Sequence, residues 1–148
     1  MNMDSFGMEK NVKQLILRFS SKIDNIDLAV IHTSEFVKSQ NRTLDNFGLK
    51  LVLSESISNA VIHGNHEDEK RCVLIKITLT PETIIIRIKD MGEGFDWRTR
   101  TTQGMADPES TSGRGIALIN AYGYSISYND DGNIMYLTKQ LDPLVTSQ

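Results

Sequence analysis

The chain has 148 residues, of which 39% are hydrophobic and 24% charged, enough apolar material for one buried core and too little charge for intrinsic disorder. Sixteen basic residues against nineteen acidic ones give a net charge of −3, which excludes an affinity resting on overall basic charge. A lone cysteine, Cys72, excludes a disulfide framework; with no bilayer-length apolar run and no signal-peptide pattern at Met1–Ser5, the expectation is a cytoplasmic protein forming one domain over residues 1–148.

Residues 12–19 begin with alternation and predict a strand. From about Lys22 to Ser39 the apolar residues Ile23, Ile26, Ala29, Val30, Phe36 and Val37 recur mostly three or four apart, which predicts a helix. A second helix is expected to start near Thr43 as N-cap, run through Leu49, Val52, Leu53, Ile57, Ala60 and Val61, and stop near Gly64. Cys72–Leu79 and Thr83–Lys89 form a hairpin pattern joined through Thr80-Pro81-Glu82. After Asp90 periodicity disappears for some twenty residues. A short helix is expected over Ile116–Ala121, opening just after the last glycine pair. Two strands follow, Tyr124–Tyr128 and Ile134–Lys139, with Asn129–Asn133 as their turn. The order β-α-α-β-β-α-β-β predicts an α+β two-layer sandwich, with helices on one face of a mainly antiparallel mixed sheet.

Three segments carry chemistry. Glu55 and Asn59, four apart on a helix, project from one face; an amide oxygen suits Mg²⁺ and a carboxylate can polarise a hydroxyl, although an isolated pair of this kind more often lines a solvated face. Asp90 ends a strand before Gly92 and Gly94, where a carboxylate can accept from an exocyclic amine such as that of adenine; a simple strand-exit turn is an equal reading. Gly113-Arg114-Gly115 ahead of a helix offers backbone N–H groups and a cation to an anion. Neither a Walker P-loop nor a dinucleotide fingerprint is present. Ten glycines are an ordinary share, yet six of them (Gly92, Gly94, Gly104, Gly113, Gly115 and Gly123) fall within 32 residues.

Taken together, E-x-x-x-N-A-x-x-H-G, a hairpin, D-x-G-x-G-F-D, a polar loop and G-R-G-I-x-L-I, in that order, resemble the Bergerat-fold ATPases and kinases. They are most similar to the stand-alone bacterial anti-sigma-factor serine kinases. The resemblance spans the first strand to about Gln140 and implies ATP and Mg²⁺ as ligands. It implies Glu55 as catalytic base, Asn59 as Mg²⁺ ligand and Asp90 as the adenine-reading carboxylate. Gly92 and Gly94 would shape the pocket, while residues 96–112 would form a lid ending in Gly113, Arg114 and Gly115. Where many relatives carry Gly-Thr before the last strand this chain has Gly132-Asn133, and Asn133 would contact the base through its amide. The implied partners are an anti-anti-sigma (STAS) protein and a sigma factor, with a homodimer by analogy.

Rival readings are weaker. His63 and His66 are spaced for zinc but lack a full ligand set, and His63 is read as ending its helix near the phosphates. Phe95 and Trp97 are expected to pack at the root of the lid, and Cys72 to act as a small hydrophobe. His32 lacks the following acidic residue of a phosphoacceptor histidine, which disfavours a sensor-kinase fragment. The competing class is a nucleotide-dependent binding module that sequesters its partner without phosphorylating anything.

Overall fold

A computed structural model of the protein describes residues 13–94 and 111–142, with residues 111–114 described as backbone only. Its centre is the hairpin of β2 (Cys72–Leu79) and β3 (Thr83–Lys89). Alternation places Val73, Ile75, Ile77 and Leu79 of β2, and Ile84, Ile86 and Ile88 of β3, on one fully covered face. Each such aliphatic side chain contributes roughly 1.5–3 kcal/mol relative to exposure. The hairpin turn is closed by Thr80, whose Oγ1 accepts from the Thr83 and Glu82 amides at 2.9 and 3.2 Å, while the Arg42 guanidinium donates to the Thr80 and Pro81 carbonyls.

On one side β1 (Lys13–Ser20) pairs with β2. On the other, β5 (Ile134–Gln140) pairs with β3, and β4 (Ser125–Tyr128) completes the order β1-β2-β3-β5-β4. Against the covered face lie α1 (Asp24–Ser39), α2 (Asn46–Ser58), a π-helical turn continuing α2 over Asn59–Gly64, and α3 (Thr111–Ala121). Leu49, Val52, Leu53, Ile57 and Val61 are completely buried between the sheet and the flanking helices. The layers are those expected of an α+β fold, except that every strand pairing among the described residues is antiparallel, so the mixed character is absent there.

Three local expectations are corrected. The N-cap of α2 is Asp45 rather than Thr43: the Asp45 backbone is extended and its Oδ1 accepts from Gly48 N at 3.1 Å. Helical backbone does stop at Gly64, but the left-handed residues that reverse the chain are His66 and Glu67, with φ of 55° and 56°. Finally, α3 starts at Thr111 rather than Ile116, so Gly113 and Gly115 lie inside the helix and not before it. The expected lid, with Phe95, Asp96, Trp97 and Gly104, falls mostly on residues 95–110, outside the described residues, as does the tail from 143.

The capping geometry separates two neighbouring residues. Asp45→Ala is expected to lower stability by about 1 kcal/mol and Thr43→Ala by less than about 0.5 kcal/mol, measured by urea denaturation.

Candidate functional site

The helix carrying Glu55 and Asn59 changes pitch at the second of them. Up to Ser58 it is α-helical; from Asn59 the backbone widens, with Asn65 N donating to the Ala60 carbonyl five residues back at 2.9 Å. Widened turns of this type recur at functional positions because they re-aim side chains on one face. Here Asn59 and His63, four apart, both border one cavity.

Asn65, directly after this turn, is completely buried and saturates its carboxamide. Its Nδ2 donates to Ser21 Oγ at 2.8 Å and to the Cys72 carbonyl at 3.0 Å, and its Oδ1 accepts from Met91 N at 2.7 Å. The start of β2 and the segment after β3 are thereby held against the end of the π turn. The single sequence offers no signal for this role, because a buried asparagine and a surface one look alike until their partners are known.

Asp90 is positioned by that arrangement. Its amide donates to the Asn133 carbonyl at 3.0 Å, and its Oδ1 accepts from Gly92 N at 2.8 Å. Oδ2 lies over the Cα of Gly64, where any larger residue would overlap the carboxylate. Burial pushes the Asp90 carboxyl above its ordinary value of 3.8, opposed by the Gly92 hydrogen bond and the charges of Arg71 and His66. Gly94, at φ 84°, rests on the Asp131 carbonyl so closely that a Cβ would not fit. The loop after β3 is thus seated on the β4–β5 turn.

The cavity these elements enclose measures about 290 Å³. Ile88, Ile119 and Met135 give it an apolar interior, while Asn59, Asp90 and Asn133 supply polar groups. Such a mixture of apolar walls and a few convergent polar groups is the usual composition of a small-molecule site. Gly115 also lines it, and the Glu55 carboxylate packs against that glycine, its Oε2 within 2.6 Å of where a Cβ would stand. Glu55 is therefore at the α3 margin rather than on the cavity wall. Asn133 lines the cavity, but its Oδ1 already accepts from Asn129 Nδ2 at 2.6 Å, and Asn129 Oδ1 caps the amides of Gly132, Asn133 and Ile134.

The structure thus gathers Asn59, Asp90, Gly94, Gly115 and Asn133 around one cavity, with Glu55 at its margin and Gly92 bonded to Asp90. The backbone of Gly113 belongs to the first turn of α3, where the leading N–H groups lack intrahelical partners; Arg114, whose side chain lies outside the described residues, follows it. Gly115, one residue further on, does not supply such an N–H group.

The histidine kinase-like ATPase domain family matches residues 21–139. The chain is 30% identical over 135 residues to the anti-sigma F factor of Oceanobacillus iheyensis, covering 86% of this chain and 92% of that protein. It is 28% identical to the anti-sigma F factor of Bacillus subtilis with the same coverage. With that of Clostridium perfringens it shares 26% identity over 85% of this chain and 95% of the other.

The geometry makes two stability predictions. Because folded Asp90 keeps its proton to higher pH than the unfolded residue does, ionised Asp90 lowers stability above its folded-state pKa. Asp90→Asn should therefore raise the melting temperature at neutral pH, an advantage that vanishes as pH falls below the ordinary carboxylate range. Asn65→Ala should cost about 2–4 kcal/mol in urea denaturation, since it strands buried polar groups of three segments.

Proposed function

The chain belongs to the histidine kinase-like ATPase family, and on that premise we propose that it is an anti-sigma protein that binds Mg·ATP, phosphorylates a serine of a STAS-type anti-anti-sigma protein and sequesters a sigma factor. One observation carries the reading: the Asp90 carboxylate, with one oxygen bonded to Gly92 N and the other turned over Gly64, is held on a cavity that Asn59 also borders. The apolar interior and the volume suit the base and sugar of a nucleotide. An ionised Asp90 is acceptor-only, which selects a base bearing an amino group.

The chain's own residues divide the remaining work. Asn59 would ligate Mg²⁺ through its amide oxygen, the type of ligand that hard cations prefer. When bound, Mg²⁺ supplies charge neutralisation for phosphoryl transfer. Glu55, one helical turn before Asn59, would orient the serine hydroxyl and accept its proton. The N–H groups at the start of α3 and the Arg114 cation would face the phosphates. Gly113 and Gly115 would allow that approach, and Asn133 would support the base chiefly by holding the β4–β5 turn. Residues 1–148 are read as one ATP-binding kinase domain, with a lid over about 96–112 and a tail from about 141. The protein is read as cytoplasmic, with a homodimer as its assembly.

A second reading has one observation in its favour. Glu55 packs on Gly115 outside the cavity wall, as it would in a nucleotide-dependent binding module that transfers no phosphoryl group. Incubation with γ-labelled ATP, Mg²⁺ and the STAS protein encoded nearby separates the two. Wild type should label a serine, and Glu55→Ala should lower the rate at least about 100-fold while nucleotide affinity is retained. Tight ATP binding by wild type with no labelling would select the binding module.

Calorimetry tests the ligand assignments. Asp90→Asn should weaken ATP binding at least about tenfold, the loss expected for a hydrogen bond to a charged group. Wild-type affinity should fall on acidification with a midpoint above the ordinary aspartate range, a step absent from Asp90→Asn. Asn59→Ala should abolish the Mg²⁺-dependence of binding.

A further inference from the structure

The turn between β4 and β5 is organised by one side chain that does not itself line the cavity, that of Asn129. Its Oδ1 accepts from the backbone amides of Gly132, Asn133 and Ile134 at 3.0, 3.0 and 2.9 Å. Only an oxygen can accept from three N–H groups, so this carboxamide has one orientation and its Nδ2 is turned to Asn133. There it donates to Asn133 Oδ1 at 2.6 Å. Because a donor can be met only by the oxygen of the second amide, the orientation of Asn133 is fixed in turn.

Asn133 then has one polar group left. Its backbone N–H is taken by Asn129 and its carbonyl by the Asp90 amide at 3.0 Å. Its Oδ1 is occupied, and among the described residues its Nδ2 makes no hydrogen bond. The β3–β5 register ends with Lys89 opposite Ile134, so Asp90 and Asn133 form the next opposed pair, on the face that Ile88 and Met135 share. All four line the cavity. The site therefore presents, side by side, a carboxylate that accepts and an amide N–H that donates.

We propose that Asn129 sets the base specificity of the cavity: it holds Asn133 Nδ2 as a donor beside the Asp90 carboxylate, and the pair reads an amino group next to a ring-nitrogen acceptor. The inference rests on the nucleotide reading above and adds a residue outside the segments that suggested it. On adenine the two groups are the 6-amino group and N1. Guanine has an N–H at the equivalent ring position, which would face Nδ2 donor against donor and leave both unpaired. A site built for one hydrogen-bond pattern rejects the other because its own polar groups are then stranded. Asn129 acts through Asn133 and is a positioning residue.

Calorimetry with the full chain tests it. Wild type should bind ATP at least about tenfold more tightly than 1-deaza-ATP, which keeps the amino group but has C–H in place of N1. It should prefer ATP over GTP at least about 100-fold. Two variants should shift that preference. In Asn129→Asp the turn keeps its acceptor, but the second carboxylate oxygen draws Asn133 Nδ2 toward it and turns Oδ1 to the cavity. Asn133→Asp keeps the bond from Asn129 and presents an oxygen in the same place. Each should lower the ATP-to-GTP affinity ratio at least about tenfold. A turn that is merely loosened weakens both nucleotides together and leaves the ratio unchanged. If wild type binds none of the three nucleotides, the nucleotide reading falls and this proposal with it. If wild type binds ATP and 1-deaza-ATP equally, or if either variant, folded by its melting transition, keeps the wild-type ratio, the proposal alone is overturned.

Discussion

Three segments far apart in sequence meet at the buried carboxamide of Asn65, and the candidate site is built on that meeting. Through Ser21 it touches the junction between β1 and α1, through the Cys72 carbonyl the start of the central hairpin, and through Met91 N the residue after Asp90. In a buried setting each of these polar groups would be costly if left unpaired, so the amide has one stable arrangement. That arrangement brings the π turn, which opens at Asn59, to the end of β3, beside Asp90. Asn65 thus fixes the relative position of both walls of the cavity.

Close backbone approach does the rest. Gly64 leaves the Asp90 carboxylate space that a side chain would take, and Gly94 allows the loop after β3 to sit on the β4–β5 turn. The same closeness explains why Asp90 is hard to ionise: the packing that aims it also removes water from it. An ionised carboxylate held this way lowers the stability of the fold that holds it.

The two faces of the sheet differ in composition. Its covered face, made of Val73, Ile75, Ile77, Ile84, Ile86 and Leu137, supplies the rigid support behind the cavity. Its open face carries Arg18, Lys76, Arg87 and Lys89, with Ile16 exposed and Leu74 and Ile85 half-buried among them. Strand alternation lets the two faces differ without conflict, since a substitution on one leaves the other in place.

The sequence by itself determined the elements and their order, because alternation in Cys72–Leu79 and Thr83–Lys89 and three-to-four spacing in the two long helices are local signals. It also singled out Asn59, Asp90, Gly94, Gly115 and Asn133, which the tertiary structure gathers on one cavity. What only the tertiary structure decided is where neighbouring candidates act. Asp45 caps α2 in place of Thr43, α3 reaches back to Thr111, and Gly64, besides ending its helical turn, leaves room for Asp90 across space. Asn65 and the cationic sheet face were invisible for the same reason. A buried hydrogen bond and a shared surface are relations between residues distant along the chain, and no local pattern encodes which distant residue will be opposite.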